Sequence, residues 1–121
     1  MSERGFVVWL PFPPATNNLY LNVGKRRVRT KRYDAWIESA HAALALQRAG
    51  SLSGPYQFSM IVERPDRRKR DLDGLLKPVL DLCVKAGLTP DDSLCQRIVA
   101  HWQSLEPVKD AQVIITLEPA Q

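Results

Sequence analysis

A small set of aspartates and one lysine are the residues of this chain whose types and spacing could do chemistry. Asp71 and Asp73 are separated by one residue, so in extended backbone their side chains point the same way. A turn into a following helix can bring them close enough to share one divalent cation. Lys77 follows Asp73 by four residues, which places it on the same helical face and within reach of a phosphate oxygen. The pair Asp91-Asp92 precedes a later strand and can supply a third carboxylate if that strand is the sheet neighbour of the strand before Asp71.

Each of these residues also has a purely structural interpretation. Asp73 can cap the N-terminus of a helix, with Asp71 adding favourable charge near its first turn. Lys77 and Asp81 have the spacing of an ordinary helical ion pair, which contributes only about 0.2–0.5 kcal/mol. The sequence Pro90-Asp91-Asp92-Ser93 is typical of a turn. Both interpretations use the same local geometry, so the residues around the set must decide between them.

The positive charge of the chain is concentrated in two short segments. Of seventeen lysines and arginines, six lie in residues 25–32 and five in residues 64–70, and the second segment leads directly into Asp71. Such clusters suit a phosphate backbone, to which these side chains contribute a salt-dependent, largely sequence-independent affinity. A phosphate-binding loop beside a carboxylate pair indicates a nuclease. The residues predicted to contact DNA are Lys25, Arg26, Arg27, Arg29, Arg67, Arg68, Lys69 and Arg70.

These motifs together resemble the RusA family of Holliday junction resolvases. The similarity includes the run Arg67-Arg68-Lys69-Arg70-Asp71-Leu72-Asp73-Gly74-Leu75-Leu76-Lys77, the helix end Lys85-Ala86-Gly87 and the pair Asp91-Asp92. It also includes the N-terminal Pro11-Phe12-Pro13-Pro14-Ala15-Thr16-Asn17-Asn18-Leu19-Tyr20, and it extends over nearly the whole chain, from about residue 6 to residue 117. The complete set of motifs at these spacings is much more specific than any one of them.

The resemblance implies that Asp71, Asp73 and one member of the later pair bind Mg²⁺, and that Lys77 matches the family's essential lysine. For the third ligand we favour Asp92, although the sequence alone leaves Asp91 open. The resemblance further implies a homodimer that cuts four-way DNA junctions symmetrically, in a family common on phages and prophages. We therefore predict a junction-resolving enzyme of DNA recombination and repair.

Three positions depart from the family pattern. Gly74 stands where the family commonly has Asn, which removes one polar group beside the aspartates. Pro78 falls in the early turns of the second predicted helix, where it costs a backbone hydrogen bond or displaces the helix start. Gly74, four residues earlier, relieves the clash between that proline and a carbonyl. Ala15 replaces a serine that is usual in the proline-rich turn.

The predicted chemistry is metal-dependent hydrolysis of a phosphodiester. Carboxylate oxygens favour Mg²⁺ over zinc, with Mn²⁺ as a substitute. The metal would activate a water for in-line attack, and Lys77 would stabilise the developing charge or position the water. The alternative is a catalytically inactive, structure-selective DNA-binding protein that keeps the basic loops. A DxD glycosyltransferase or phosphotransferase would need a nucleotide-binding domain, and no Gly-rich phosphate loop is present, so we expect no nucleotide cofactor.

Composition predicts a small soluble protein with its own core. The 121 residues are 45% hydrophobic with a net charge of +4, which suits one domain covering residues 1–121. No apolar run approaches the length of a membrane span or signal peptide, so we expect no membrane association and a cytoplasmic location. Cys83 and Cys95 are interpreted as buried small hydrophobes in a reducing compartment, and His41 and His101 as structural.

Hydrophobic periodicity gives the order of elements that must position the site. The patterns predict a strand over residues 6–10, an irregular hairpin or a loop over 20–30, and a helix that Thr30 caps and Gly50 ends. They continue with a strand over 56–64, a helix over 72–83, and strands over 98–102 and 111–117. The expected fold is α+β, a single domain with a mixed sheet and two main helices packed against it.

Overall fold

The computed structural model describes residues 3–120 and forms one mixed sheet, one small hairpin and two helices. The predicted domain covers residues 1–121, and its terminal residues Met1, Ser2 and Gln121 lie outside the described residues. The strands are β1 (Phe6–Pro11), β2 (Tyr20–Val23), β3 (Arg26–Arg29), β4 (Tyr56–Arg64), β5 (Cys95–Pro107) and β6 (Gln112–Pro119). The helices are α1 (Lys31–Gln47) and α2 (Leu76–Lys85), and 3₁₀ turns occupy Thr16–Asn18, Asp73–Leu75 and Asp92–Leu94.

The main sheet has the strand order β1-β6-β4-β5, with β4 and β5 parallel and the other two pairs antiparallel. Its strands alternate between buried and less buried residues, as the period of two requires. Both helices contribute to the core against its buried face, which confirms the predicted α+β fold. The residues of that face are Val8, Leu10, Phe58, Met60, Val62, Val113, Ile115 and Leu117.

Helix α1 begins where the sequence predicts and ends earlier. The Thr30 hydroxyl accepts a hydrogen bond from the N–H of Tyr33 at 3.1 Å, which is the geometry of an N-cap. The helix ends at Gln47, and Arg48 takes the left-handed conformation with φ of 52°. The prediction that Gly50 ends the helix is wrong. A Cβ at Gly50 would lie 2.7 Å from the ring of Phe6, so this glycine permits close packing against β1.

The two edges of the main sheet differ. The side-chain amide of Gln47 pairs with the backbone of Trp9, donating to its carbonyl and accepting from its N–H at 2.7 Å each. The indole of Trp36 donates to the carbonyl of Pro11 at 2.8 Å. Helix α1 therefore covers the outer edge of β1, whereas the opposite edge is the 13-residue strand β5, most of which is exposed.

Helix α2 starts four residues later than the sequence pattern predicts. Residues Asp73–Leu75 form a 3₁₀ turn, and the α-helix begins at Leu76. Pro78 is consequently the third residue of the helix, where a backbone N–H has no intrahelical acceptor and its absence costs little. The proline thus displaces the helix start, one of the two effects expected from the sequence.

The remaining sequence-based expectations are met in part. Cys83 is buried, and desolvation raises the pKa of its thiol to about 12, whereas Cys95 is half-buried. His41 and His101 are exposed and belong to no cluster of metal-ligating residues in the described part of the chain. Within residues 3–120 no helix is both long and apolar enough to cross a membrane.

Candidate functional site

A cleft of about 550 Å³ opens at the end of the sheet where β1 and β4 terminate. Both strands run antiparallel to β6, so their carboxyl ends lie at the same end of the sheet. The chain leaving β1 forms one wall through residues 15–18, and the chain leaving β4 forms the other. The second wall consists of Lys69, Arg70, Asp71, Asp73, Gly74 and Leu75.

Local hydrogen bonds shape the turn that presents the two aspartates. The N–H of Gly74 donates to the carbonyl of Asp71 at 3.2 Å, and the N–H of Leu75 donates to that of Leu72 at 3.1 Å. The side chain of Leu75 is buried in the core and anchors the turn to it. Asp71 and Asp73, on either side of Leu72, remain exposed and both line the cleft.

The two aspartates have no structural partner among residues 3–120. Neither forms an ion pair or a side-chain hydrogen bond there, and Asp73 makes no capping hydrogen bond to the turn or to α2. The helix-cap interpretation therefore does not account for them. Two exposed carboxylates one residue apart repel each other unless a cation lies between them, so this pair is suited to a divalent ion.

Asp66 is a residue of this loop that the sequence analysis did not identify. Arg70 donates to its two carboxylate oxygens at 2.7 and 3.3 Å, and the N–H of Arg68 donates to it at 3.0 Å. The hydrogen bond from Arg70 is the main cause that holds the pKa of Asp66 below its usual range. The Arg70 guanidinium also lies 5.3 Å from the centre of the Phe12 ring. Asp66 thus fixes Arg70 at the cleft. The spacing of four residues between Asp66 and Arg70 was the feature of the sequence from which this ion pair could have been predicted.

Lys77 lies one helical turn from Asp73 but contacts another residue. Its ammonium is 3.3 Å from the carboxylate of Asp81, an i,i+4 ion pair in which the Lys77 side chain is about half exposed. Lys77 therefore forms the helical ion pair with Asp81 that its spacing predicts. Because a helical i,i+4 ion pair contributes only about 0.2–0.5 kcal/mol, a phosphate oxygen can compete with Asp81 for the ammonium.

Asp91 and Asp92 lie at the opposite end of the sheet from the cleft. Strands β4 and β5 are neighbours, but they are parallel with Tyr56 opposite Cys95, so β5 begins beside the beginning of β4. Helix α2, about 15 Å long at 1.5 Å per residue, spans the distance back from the cleft. The expectation that sheet pairing brings this pair beside Asp71 within one chain is wrong, because that would require antiparallel strands. No three acidic, His or Cys residues between 3 and 120 form a metal-binding group.

The two members of this later pair differ in their hydrogen bonds. The hydroxyl of Ser93 donates to the carboxylate of Asp91, and this bond is the main cause that lowers the pKa of Asp91. Asp92 is exposed and forms no ion pair with any described residue. Asp91 therefore has a structural role in the turn, and Asp92 is the member available to bind a ligand.

The first basic segment forms a hairpin attached to the cleft wall. Strands β2 and β3 pair antiparallel around the two-residue turn Gly24-Lys25, in which Gly24 has a φ of 62°, as this kind of turn favours. The Thr30 hydroxyl donates to the carbonyl of Asn18 at 2.8 Å. Asn17 and Asn18 line both the cleft and a neighbouring groove beside the hairpin, so hairpin and cleft share a wall.

The predicted DNA-binding cations differ in their freedom to bind phosphate. In the hairpin, Arg29 forms an ion pair with Asp34 at 2.8 Å, and Arg27 lies 4.4 Å from the centre of the Tyr20 ring. Lys25 and Arg26, by contrast, have no ion-pair partner in the described part of the chain.

The second basic segment shows the same division. Arg67 forms an ion pair with Glu106 at 2.9 Å, and Arg68 lies 3.7 Å from Asp66. Lys69 lines the cleft beside the two aspartates and has no ion-pair partner between residues 3 and 120. The cations most available to an anionic ligand are therefore those at the hairpin tip and at Lys69.

Comparison with known proteins identifies the family and several relatives of this chain. The model of the family described as Endodeoxyribonuclease RusA matches residues 11–118. The crossover junction endodeoxyribonuclease RusA of Escherichia coli strain K12 is 32% identical over 89 residues, which cover 73% of this chain and 74% of that protein. The crossover junction endodeoxyribonuclease of Enterobacteria phage HK97 is 28% identical over 93 residues, 76% of each chain. The chain therefore belongs to the endodeoxyribonuclease RusA family.

Proposed function

We propose that this protein is a Mg²⁺-dependent endonuclease that resolves four-way (Holliday) DNA junctions by paired, symmetric cuts in recombination and repair. The observation that supports this most directly is the cleft, in which Asp71 and Asp73 lie beside Lys69 and none of the three has an ion-pair partner among the described residues. The relatives are named crossover junction endodeoxyribonucleases, which indicates the kind of DNA that is cut. We propose that the enzyme acts on this DNA in the cytoplasm.

The residues of the cleft fit a hard divalent cation. Mg²⁺ is usually held by one or two carboxylates, with waters and substrate phosphates as its other ligands. Asp71 and Asp73 meet that requirement from one turn, and Mn²⁺ suits the same oxygen ligands. When bound, the metal would activate water and neutralise the charge that develops on the phosphodiester.

The protein side chains would grip and orient the scissile phosphate. Lys69 and Arg70 line the cleft next to the aspartates, and Arg70 is held by Asp66, so its guanidinium is preorganised for a phosphate oxygen. Lys77 would leave Asp81 and contribute its positive charge to the transition state. The hairpin cations would hold the DNA arms through their phosphates.

We propose that the functional unit is a homodimer and that Asp92 completes the metal site from the second copy. One chain separates Asp92 from Asp71 and Asp73 by the length of α2, so a metal role for Asp92 requires a second subunit. Asp92 directly precedes β5, the exposed edge of the sheet, and is accessible to a partner. A two-fold dimer presents two identical sites to the two symmetry-related strands of a junction, from which paired cuts follow.

The first test is cleavage of a synthetic mobile four-way junction beside a linear duplex of matched sequence, each with Mg²⁺ and with EDTA. We expect symmetric nicks confined to the junction and dependent on Mg²⁺. Asp73→Asn should abolish cutting while junction binding is retained or stronger, because a negative charge facing phosphate is removed. Full cleavage by Asp73→Asn would contradict the site. Binding without cleavage by the wild type would instead favour an inactive structure-selective binding protein, for which Gly74 is the structural reason.

The origin of the third carboxylate is tested by mixing variants. Asp92→Asn should impair cutting, whereas Asp91→Asn, the matched control, should mainly affect the turn that Ser93 stabilises. Mixed dimers of Asp73→Asn and Asp92→Asn would contain one intact composite site, and we expect them to nick one strand. No activity in the mixture, despite exchange of subunits, would contradict a site shared between copies.

A further inference from the structure

The carbonyl of Gly74 is the point at which the acidic turn is tied to the rest of the molecule. Pro78, four residues later, has no backbone N–H to donate to this carbonyl. The hydroxyl of Thr16 donates to it at 2.7 Å, across a sequence separation of 58 residues. The N–H of Gly74 donates to the carbonyl of Asp71, so the polar backbone groups of Gly74 are both engaged.

Thr16 itself belongs to a well-anchored turn. The N–H of Asn18 donates to the carbonyl of Ala15 at 2.8 Å, and the carbonyl of Asn18 accepts from the Thr30 hydroxyl at 2.8 Å. The next residue, Leu19, is fully buried. The position of the Thr16 hydroxyl is therefore set by the N-terminal part of the fold, independently of the acidic loop.

No second side-chain hydrogen bond within residues 3–120 joins the segment 71–75 to a distant part of the chain. We propose that Thr16 is a positioning residue for Asp71 and Asp73. Its hydroxyl fixes the turn in the geometry that binds a divalent cation, and it acts through the Gly74 carbonyl without contacting metal or DNA. This inference rests on the proposed metal-dependent function.

The test compares Thr16→Val, which keeps the branched shape and removes the donor, with Thr16→Ser, which keeps the donor. Binding of Mn²⁺ to the full chain is measured from the electron paramagnetic resonance signal of the free ion. Thr16→Val should weaken Mn²⁺ binding about tenfold, the lower end of the range for residues that support metal ligands. The Mg²⁺ concentration for half-maximal junction cleavage should rise in proportion. Thr16→Ser should retain wild-type values of both.

A matched control is available at the other end of α2. The hydroxyl of Ser51 donates to the carbonyl of Gly87 at 2.8 Å, which is also an exposed hydroxyl-to-glycine bond that joins distant segments. Ser51→Ala should lower the thermal midpoint as much as Thr16→Val does and leave Mn²⁺ affinity unchanged. If Thr16→Val does not fold, Thr16→Ala removes the same donor with a smaller side chain.

The outcomes distinguish the positioning role of Thr16 from the proposed junction-cutting function. Wild-type Mn²⁺ affinity in Thr16→Val, or failure of Thr16→Ser to retain it, would overturn the role of Thr16. If the wild type binds Mn²⁺ but does not cut junctions, the proposed function fails, and the Mn²⁺ affinities of Thr16→Val and Thr16→Ser still decide the positioning role. Absence of Mn²⁺ binding by the wild type would overturn both.

Discussion

Two cations at the tip of the β2–β3 hairpin offer a quantitative test of how this protein holds DNA. Lys25 and Arg26 are exposed and have no ion-pair partner among residues 3–120, whereas Arg29 must first leave Asp34 at 2.8 Å. Replacing both free residues by alanine should therefore remove two phosphate contacts per subunit, which is four in the proposed homodimer. The backbone of the hairpin should be unaffected, because Gly24 and the β2–β3 pairing stay in place.

The size of the effect follows from counterion release. Each lost phosphate contact reduces the slope of log K against log salt by about 0.9 on B-form DNA. Four contacts reduce it by about 3.6, so between about 50 and 200 mM salt the affinity gap between wild type and the double variant should narrow about 150-fold. The same substitution at Arg29 should change the slope less, since breaking its ion pair with Asp34 offsets the gain from phosphate.

Fluorescence anisotropy of a labelled junction in EDTA, measured over that salt range, gives the slope without cleavage. The control variant Arg4→Ala with Arg48→Asn removes two charges outside both basic segments, and asparagine tolerates the left-handed backbone at position 48. We expect the control to keep the wild-type slope. An unchanged slope in the Lys25 and Arg26 double variant, or an equal decrease in the control, would refute the assignment of the hairpin to phosphate binding.

Three further predictions concern the turn, the packing and the pH dependence of stability. Gly74→Asn should fold normally, because an added Cβ meets nothing closer than 4.0 Å. It should cut junctions faster, because the added amide would support the carboxylates. Slower cutting at an unchanged thermal midpoint would contradict this prediction. Gly50→Ala should lower the free energy of unfolding in urea by about 1–3 kcal/mol through its clash with Phe6; Gly54→Ala, with open space around it, should stay close to wild type. Desolvation raises the pKa of Tyr33 from 10.0 to about 12. Because the folded state holds this phenolic proton more tightly than the unfolded state, the free energy of unfolding should fall as the pH rises from about 10 towards 12. The decrease over that pH range should be smaller in Tyr33→Phe.

Local patterns in the sequence were sufficient for the fold class and for half of the candidate site. Alternating residues such as Phe58, Met60 and Val62 face the core because a strand has a period of two. Thr30 caps α1 because a capping hydrogen bond needs only residues three positions apart. The one-residue spacing of Asp71 and Asp73 was likewise enough to predict that one turn presents both side chains together, and both line the cleft.

Only the tertiary structure decided what depends on strand direction and on contacts between distant segments. Parallel and antiparallel neighbours have similar sequence patterns, so the position of Asp92 at the far end of the sheet was not predictable. The helix ends at Gln47 and not at Gly50, which instead packs closely against Phe6, 44 positions away. The hydrogen bond from Thr16 to Gly74 joins residues 58 positions apart, across the cleft that both residues line. Spacing along the chain determines which side chains share a local face, whereas contacts across such separations form only when the sheet and helices pack together.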